Sequence, residues 1–547
     1  MTDQVDFTDL NKARINPGFV VKYNRRTFSY IILHPRSNFN LMKKLSLILL
    51  LNLLAITFSF AQQPSFITND LDAYINKGLK DWNLPGLAIA VVKDGKIVVM
   101  KGYGVRNVKT NEPVDENTLF MIASNTKLFT ATALAQLDND KIISLNDKIS
   151  KYFPDYTLYD PNSTALVTVR DMLSHHIGTK TFQGDFTYWN STYTRKQIMD
   201  KMKLMKPVNG FRQTFGYCNS CFLTAGQVIQ AATGKPWEVE VQDSILTPLG
   251  MTNTYISGTN MAKMKDAAQP YSTFFTGQLT ALPYDKLDNL APAAAIVSNV
   301  KDIAKWLTMQ VDSGKYEGKQ IIAWKALQKT RDMNTVISSR KSSYLPSNFS
   351  GYGLGVDIND YNGKQVFSHT GGADGFVTNT CFVPEEHLAI VILTNNDNQD
   401  FFEALRYQIL DAYLGVQNTD RSAFFLKYFK EEMAETIKTT TDMQARVKGA
   451  VPELPLSAYA GTYDNELYGS IAITAEKKEL SVKFNDHVDY AASLKYMDNG
   501  EWMLTYTNAS YGIFPLKFKI ENGKVVSTVV KVNNELEYDP YLFTKTN

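Results

Sequence analysis

The chain has 547 residues, of which 44% are hydrophobic and 20% charged, a balance that excludes a disordered or fibrous polymer and leaves room for roughly two to four domains. A formal net charge of +2 gives no electrostatic reason for a nucleic-acid or other polyanionic partner. Three cysteines are too few for a disulfide-built scaffold.

Residues 1–41 carry scattered charges without periodicity, and we read them as a gene-model extension ahead of Met42, with a genuine N-terminal tail as the alternative. From Met42 to Ala61 two lysines, an apolar run and a Ser59-x-Ala61 ending match a secretory signal peptide. An uncleaved anchor is the rival, but the run falls short of the ~20 apolar residues a span needs. The expected mature protein starts near Gln62, is periplasmic or secreted, and keeps no stable membrane span.

The body of the chain, 62–417, reads as mixed helix and strand. An amphipathic helix over Ile67–Trp82 precedes two apolar runs around Asp94-Gly95, a strong hairpin signal. Phe120–Leu137 then reads as an apolar helix with Ser124 and Lys127 at its N-terminal end. Three residues apart, hydroxyl and amine share a helix face. A desolvated lysine loses pKa and can take the serine proton, which makes the pair an activated nucleophile in principle. Ser-x-x-Lys also occurs at Ser298/Lys301 and Ser338/Lys341. The first copy precedes an amphipathic run in which capping accounts for the serine; the second lies in a polar stretch that cannot desolvate a lysine.

His175 and His176 are adjacent and lack a spaced third ligand, so a helix end closed by Gly178 is preferred to a metal site. Tyr217-x-Asn219 opens another apolar helix, though the same spacing recurs at Tyr74, Tyr188, Tyr463 and Tyr506. Cys218-x-x-Cys221 lacks the βαβ context of a redox motif and could instead form a local disulfide after export. His369-Thr370-Gly371 falls in strand-and-turn text, and Thr378–Val383 and Leu388–Thr394 read as further strands. Residues 418–450 form a charged helical connector, and 451–547 show short alternating strands split by turns, as in a small antiparallel barrel. The fold class expected is therefore α+β: an antiparallel sheet flanked by helices with an all-α subdomain, followed by a small antiparallel β-barrel.

Taken together, the order Ser124-x-x-Lys127, Tyr217-x-Asn219, His369-Thr370-Gly371 resembles the serine β-lactamase and penicillin-binding-protein-like hydrolases, nearest the class C β-lactamase, D-aminopeptidase and esterase branch. The resemblance runs over about Phe66 to Leu414 and is supported by Val169–His175, Thr233–Trp237, Pro248–Thr252 and Tyr352–Gly355. From Leu456 onward the chain resembles the lipocalin-like domain often appended to such enzymes.

The resemblance implies an acyl-Ser124 intermediate, with Lys127 as proton acceptor and Tyr217 as a relay whose phenol pKa the lysine lowers. It further implies that Asn219 orients the substrate or Lys127, that His369, Thr370 and Gly371 line the substrate, and that the N–H groups of Ser124 and Gly372 form the oxyanion hole. No cofactor or metal is called for, and the partner expected is a small ester or peptide. Two departures stand out. His369 occupies the place where β-lactamases carry a permanently charged lysine, which favours ester or D-amino-acid peptide hydrolysis over β-lactams. Ala294-Ala295 replaces a customary glycine pair. A β-lactamase or D,D-peptidase, and a non-catalytic binder using the barrel, remain the alternatives. Specificity is expected in the loops Thr179–Pro207 and Ser257–Leu290.

Overall fold

The computed structural model describes residues 63–546 apart from 418 and 488. The expected extension and signal peptide, 1–61, lie outside the described residues. No helix among those described is long and apolar enough to cross a membrane.

Nine strands form the central antiparallel sheet. In chain order they are β1 (Gly86–Lys93), β2 (Lys96–Asn107), β3 (Glu112–Pro113), β4 (Thr335–Ser338), β5 (Ser350–Tyr352), β6 (Asp357–Tyr361), β7 (Lys364–Ala373), β8 (Phe376–Val383) and β9 (Leu388–Thr394). Their spatial order is β4-β5-β6-β7-β8-β9-β1-β2-β3. The β1–β2 connection is the expected two-residue turn, with Asp94 at φ 53° and Gly95 at φ 71°, the backbone that matches strand twist.

The central strands are apolar at nearly every position because both faces are covered. Along β1, Ala88, Ala90 and Val92 enter one core while Leu87, Ile89 and Val91 enter another. β9 divides its side chains the same way, as a period of two requires. Two helices, α1 (Leu71–Asp81) and α5 (Phe401–Leu414, named after α2–α4 below), cover the second face. The first face carries α2 (Thr126–Asn139), the all-α subdomain around α3 (Asn219–Thr233), and α4 (Val300–Val311). Eleven of the fourteen α2 residues are buried, and Phe129 stacks on Trp306 of α4 at 4.2 Å. A helix apolar on all sides belongs inside a core.

A 26-residue helix, α6 (Arg421–Arg446), leads to the second region. Its start is pinned: Arg421 reaches both oxygens of buried Asp411, and the Trp82 indole donates to Ser422 at 2.9 Å. Eight strands between Gly461 and Lys545 then close into an antiparallel barrel, which removes the exposed sheet edges. Its interior is filled by side chains including Tyr463, Phe484, Trp502 and Phe543, all nearly inaccessible.

Three local expectations need correction. The helix expected from Phe120 begins at Thr126; Phe120–Met121 is a strand paired with Val297–Ser298, and Ala123–Asn125 is a 3-10 turn. The cap of α4 is Asn299, whose side chain accepts from the Asp302 N–H, while Ser298 bonds Thr254. The helix before His175 stops at Leu173, and His175 itself, at φ 56°, turns the chain ahead of Gly178.

Candidate active site

Ser124 sits in the 3-10 turn that leads into α2. The preceding residue, buried Ala123, holds φ 45°, a left-handed conformation costing an L-residue about 1–3 kcal/mol. Its neighbours hold it there. Asn125 donates to Thr378 Oγ1 at 2.9 Å and accepts from Thr380 Oγ1 at 2.6 Å, and Thr378 in turn donates to the Ile122 carbonyl at 2.9 Å. These bonds bind the turn to β8. β7 approaches as closely: a Cβ on Gly371 would lie 2.1 Å from the Ile122 carbonyl oxygen. Only glycine permits that contact. Thr370 and Gly372, on either side, are exposed and line the cavity that contains Ser124.

One turn along α2, Lys127 is 0% exposed. Its Nζ lies 2.9 Å from Ser124 Oγ, 2.6 Å from Asn219 Oδ1 and 3.0 Å from the Ala293 carbonyl. Burial pulls its pKa down to about 7, against the opposing charge of Asp185. A neutral amine has two N–H donors and one lone pair. Asn219 and Ala293 take the two donors, which leaves the lone pair facing Ser124 Oγ. The Pro292–Ser298 segment, where alanines replace the expected glycines, thus supplies a carbonyl to the lysine. Gly355 belongs to the same packing: its φ is 73°, and a Cβ there would lie 2.6 Å from the Lys127 carbonyl oxygen.

Asn219 is fully used by the protein. Its Nδ2 donates to Asp185 Oδ2 at 2.6 Å and to Tyr188 Oη at 2.9 Å. Lys127, Asn219 and Asp185 therefore form a continuous polar chain. Burial raises the Asp185 carboxyl to about 7, opposed by its bonds to Tyr188 and Asn219.

Burial holds the Tyr217 phenol pKa well above the ordinary value, against the lowering influence of Ser124. The lowering expected from the lysine is not found, and Tyr217 remains a protonated phenol. Lys127 Nζ stands 4.9 Å from the Tyr217 ring centre, and His175 stacks on Tyr217 at 4.1 Å centre to centre while meeting Phe215 edge-on. His175 Nδ1 accepts from the Cys218 N–H at 2.9 Å, so its work is to place the residues around Tyr217. Among the described residues no group of His, Cys, Asp or Glu is arranged to hold a metal ion. Cys218 and Cys221 are buried free thiols.

His369 is 2% exposed. Its Nδ1 is 2.7 Å from the Thr370 carbonyl, an acceptor only, so Nδ1 carries the hydrogen and Nε2 accepts from the Tyr352 hydroxyl at 2.9 Å. Burial first, then the Lys127 charge, depress its pKa to about 3. His369 is thus a neutral ring with both nitrogens engaged, which positions β7 and offers no cation to a ligand.

The three predicted motifs converge around one cavity of about 550 Å³. Residues that sequence reading missed complete it. Asp185 and Tyr188 lie in the flagged loop 179–207, but nothing in its spacing marks Asp185, and Tyr188 stands out only as one more Tyr-x-Asn copy. Tyr352 belongs to the Tyr352–Gly355 family text without an assigned role. Least foreseeable are Ser510, Asn533, Glu535 and Leu536, which the barrel contributes to the wall, and Glu432 and Met433 from α6.

The barrel is docked through the same loop. Phe186 stacks on His487 at 4.2 Å and packs edge-on against Phe484 of the barrel. Glu537 accepts the N–H groups of Gly184 and Phe186 at 2.8 and 3.1 Å, on either side of Asp185.

Comparison with known proteins agrees with this geometry. Residues 71–414 match the family model described as Beta-lactamase, and 445–545 match a domain of unknown function, DUF3471. The chain is 26% identical over 446 residues to the Unguisins hydrolase ungD of Aspergillus violaceofuscus, covering 75% of this chain and 77% of that one. It is also 26% identical over 346 residues to Protein flp of Staphylococcus aureus, covering 61% and 65% respectively. The octameric penicillin-binding protein homologue from Pyrococcus abyssi shares the fold, with a TM-score of 0.56 at 20% identity over 87% of this chain and all of that one. The chain belongs to the β-lactamase family, among the serine β-lactamase and penicillin-binding-protein-like hydrolases.

Proposed function

We propose that the protein is an exported serine hydrolase that cleaves small esters or peptides, including those with D-amino acids, through an acyl-Ser124 intermediate. The observation that carries this reading is the buried Lys127 amine, 2.9 Å from Ser124 Oγ with its other partners already supplied. As Ser124 Oγ bonds to the acyl carbon, its proton passes to Lys127 Nζ. The oxyanion is met by the N–H groups of Ser124 and Gly372, one such donor being worth about 3 kcal/mol of barrier. The intermediate then collapses. The leaving oxygen or nitrogen takes a proton from Tyr217, which regains one from Lys127. Water hydrolyses the acyl-enzyme by the same proton path. Thr370 and Gly371 position the acyl group, and His369 acts by holding β7 in place.

The neutral, internally bonded His369 supports ester and peptide substrates over β-lactams, whose carboxylate calls for a cation. The two curated relatives named as hydrolases of unguisins are in keeping with hydrolysis. Export rests on the Met42–Ala61 sequence alone.

Intact-mass spectrometry with p-nitrophenyl acetate, D-alanine p-nitroanilide and nitrocefin, each beside Ser124→Ala, tests the reading. Ester or D-amide turnover that the variant abolishes is expected. Fast nitrocefin turnover would favour a β-lactamase, and the absence of any adduct or turnover would favour a binding protein.

A further inference from the structure

A second cavity, of about 390 Å³, opens beside the outer strands β5, β6 and β7 and shares no lining residue with the one around Ser124. Its volume falls in the range of small-molecule sites. Arg340 and Lys341 line it from the segment between β4 and β5, and Arg406 lines it from α5. That segment is the polar stretch Ser338–Ser343, which carries a Ser-x-x-Lys spacing without the surroundings of a nucleophile. Neither Arg340 nor Lys341 takes part in an ion pair among the described residues. Arg406 is 7% exposed; it donates to Glu403 at 2.7 Å and lies over the Tyr407 ring.

Among the described residues, Asp360 is the one acidic side chain in the wall, and it is already engaged. It accepts the backbone N–H groups of Asn348 and Phe349 at 2.6 and 3.0 Å and the Asn348 side-chain amide at 2.7 Å. Even with Glu403 counted, three cations face two carboxylates, so the cleft attracts anions. A second observation is independent of charge. Ser368 of β7 is 5% exposed and lines the cavity, and its hydroxyl has no hydrogen-bond partner among the described residues. A buried donor without a partner is costly, and a ligand acceptor facing it recovers that loss. Tyr344, Leu345, Phe349 and Leu410 supply apolar surface in the same cavity.

We propose that this cavity binds a phosphate group attached to an apolar body, with the phosphate held by Arg340, Lys341 and Arg406. Guanidinium forks match phosphate oxygens, and the lysine adds a point charge. The donors come from three separate elements, which suits a tetrahedral head with three oxygens better than a planar carboxylate. The apolar body rests on the aromatic and leucine surface. A soluble phosphate monoester and a phospholipid headgroup share this chemistry, and the test separates them. The site is independent of the role of Ser124.

The test has two arms, both at low salt, where charge contacts are least screened. In the first, the purified protein is titrated calorimetrically with phenyl phosphate and with neutral benzyl alcohol. In the second, it is sedimented with vesicles of phosphatidylglycerol or of phosphatidylcholine. A soluble ligand predicts that phenyl phosphate binds one site at least about tenfold more tightly than benzyl alcohol, the scale of a charge-assisted hydrogen bond. A headgroup predicts association with phosphatidylglycerol vesicles and little heat from phenyl phosphate. In whichever arm binds, Arg340→Gln combined with Lys341→Gln, both exposed residues, should weaken binding at least about tenfold. Arg406→Gln is a second variant that acts from the buried side, with the thermal midpoint as the check on folding. Binding in neither arm, no preference for the phosphate probe over its control, or binding unchanged in every variant overturns the proposal.

Discussion

Two walls of one cavity are built by opposite means. On the Ser124 side, hydroxyl and amine come from one short stretch, three residues apart, and a helix inside a core brings them together at 2.9 Å. On the barrel side, the chain returns after some 400 residues to place Ser510, Asn533 and Glu535 opposite them. On the first wall Lys127, His369 and Asn125 are held by close neighbours: Asn219, Ala293, Tyr352 and Thr378. The second keeps unpaired carboxylates. The Ser124–Lys127 pair sits on one side of the cavity, and Glu432 and Glu535, which take no part in an ion pair among the described residues, line it from the connector helix and the barrel. The Phe186–Glu537 contact joins the two, and it flanks Asp185 within the loop that both walls share.

The comparison can be broken or sharpened experimentally. The largest effect is expected for Ser124→Ala, with a loss of at least ~10³-fold in kcat/KM for p-nitrophenyl acetate; retained turnover would move the nucleophile elsewhere. Lys127→Met removes the base and should cost ~10²–10⁴-fold in the acylation rate, measured by stopped-flow release of nitrophenol. On the other wall, Phe186→Ala empties a stacked site inside the barrel and should destabilise the fold by about 3–5 kcal/mol, seen as an earlier denaturant midpoint. If the midpoint does not move, the barrel is not anchored through that ring.

Gly371→Ala introduces a methyl into the Ile122 carbonyl and should cost about 1–3 kcal/mol, with activity falling because the strain is released through the Ser124 turn. The smallest effect concerns pH. Lys127 must be neutral to accept a proton, so acylation should rise with pH through a midpoint near the lysine value of about 7. The Asp185 charge raises that value, so Asp185→Asn should move the midpoint to lower pH. A midpoint that stays put, or rises, would show that the Lys127-Asn219-Asp185 chain does not couple the two groups.

Sequence reading reached the hairpin at Asp94-Gly95, the strands from 364 to 394, the long connector and the barrel because each depends on local periodicity and turn chemistry. It named Ser124, Lys127, Tyr217, Asn219 and the His369–Gly371 triplet through spacing and resemblance to a family, and the fold gathers them around one cavity. Their protonation was less accessible. The phenol of Tyr217 is raised where lowering was expected, because complete burial dominates its environment and the charges of Asp357 and Asp185 add to it. The role of His369 likewise turned on Tyr352 and the Thr370 carbonyl, whose positions no spacing reveals.

What the sequence determined by itself, then, is the set of elements and the order of the reactive side chains, since a period of 2 or 3.6 residues and a three-residue offset act locally. What only the tertiary structure decided is the content of the cavity: Asp185 beneath Asn219, Phe186 inside the barrel, and Glu432 and Glu535 beside Asp400. These meet because closing the barrel and docking it on loop 179–207 buries apolar surface that no single segment could bury alone. Side chains brought together that way leave no repeating mark along the chain.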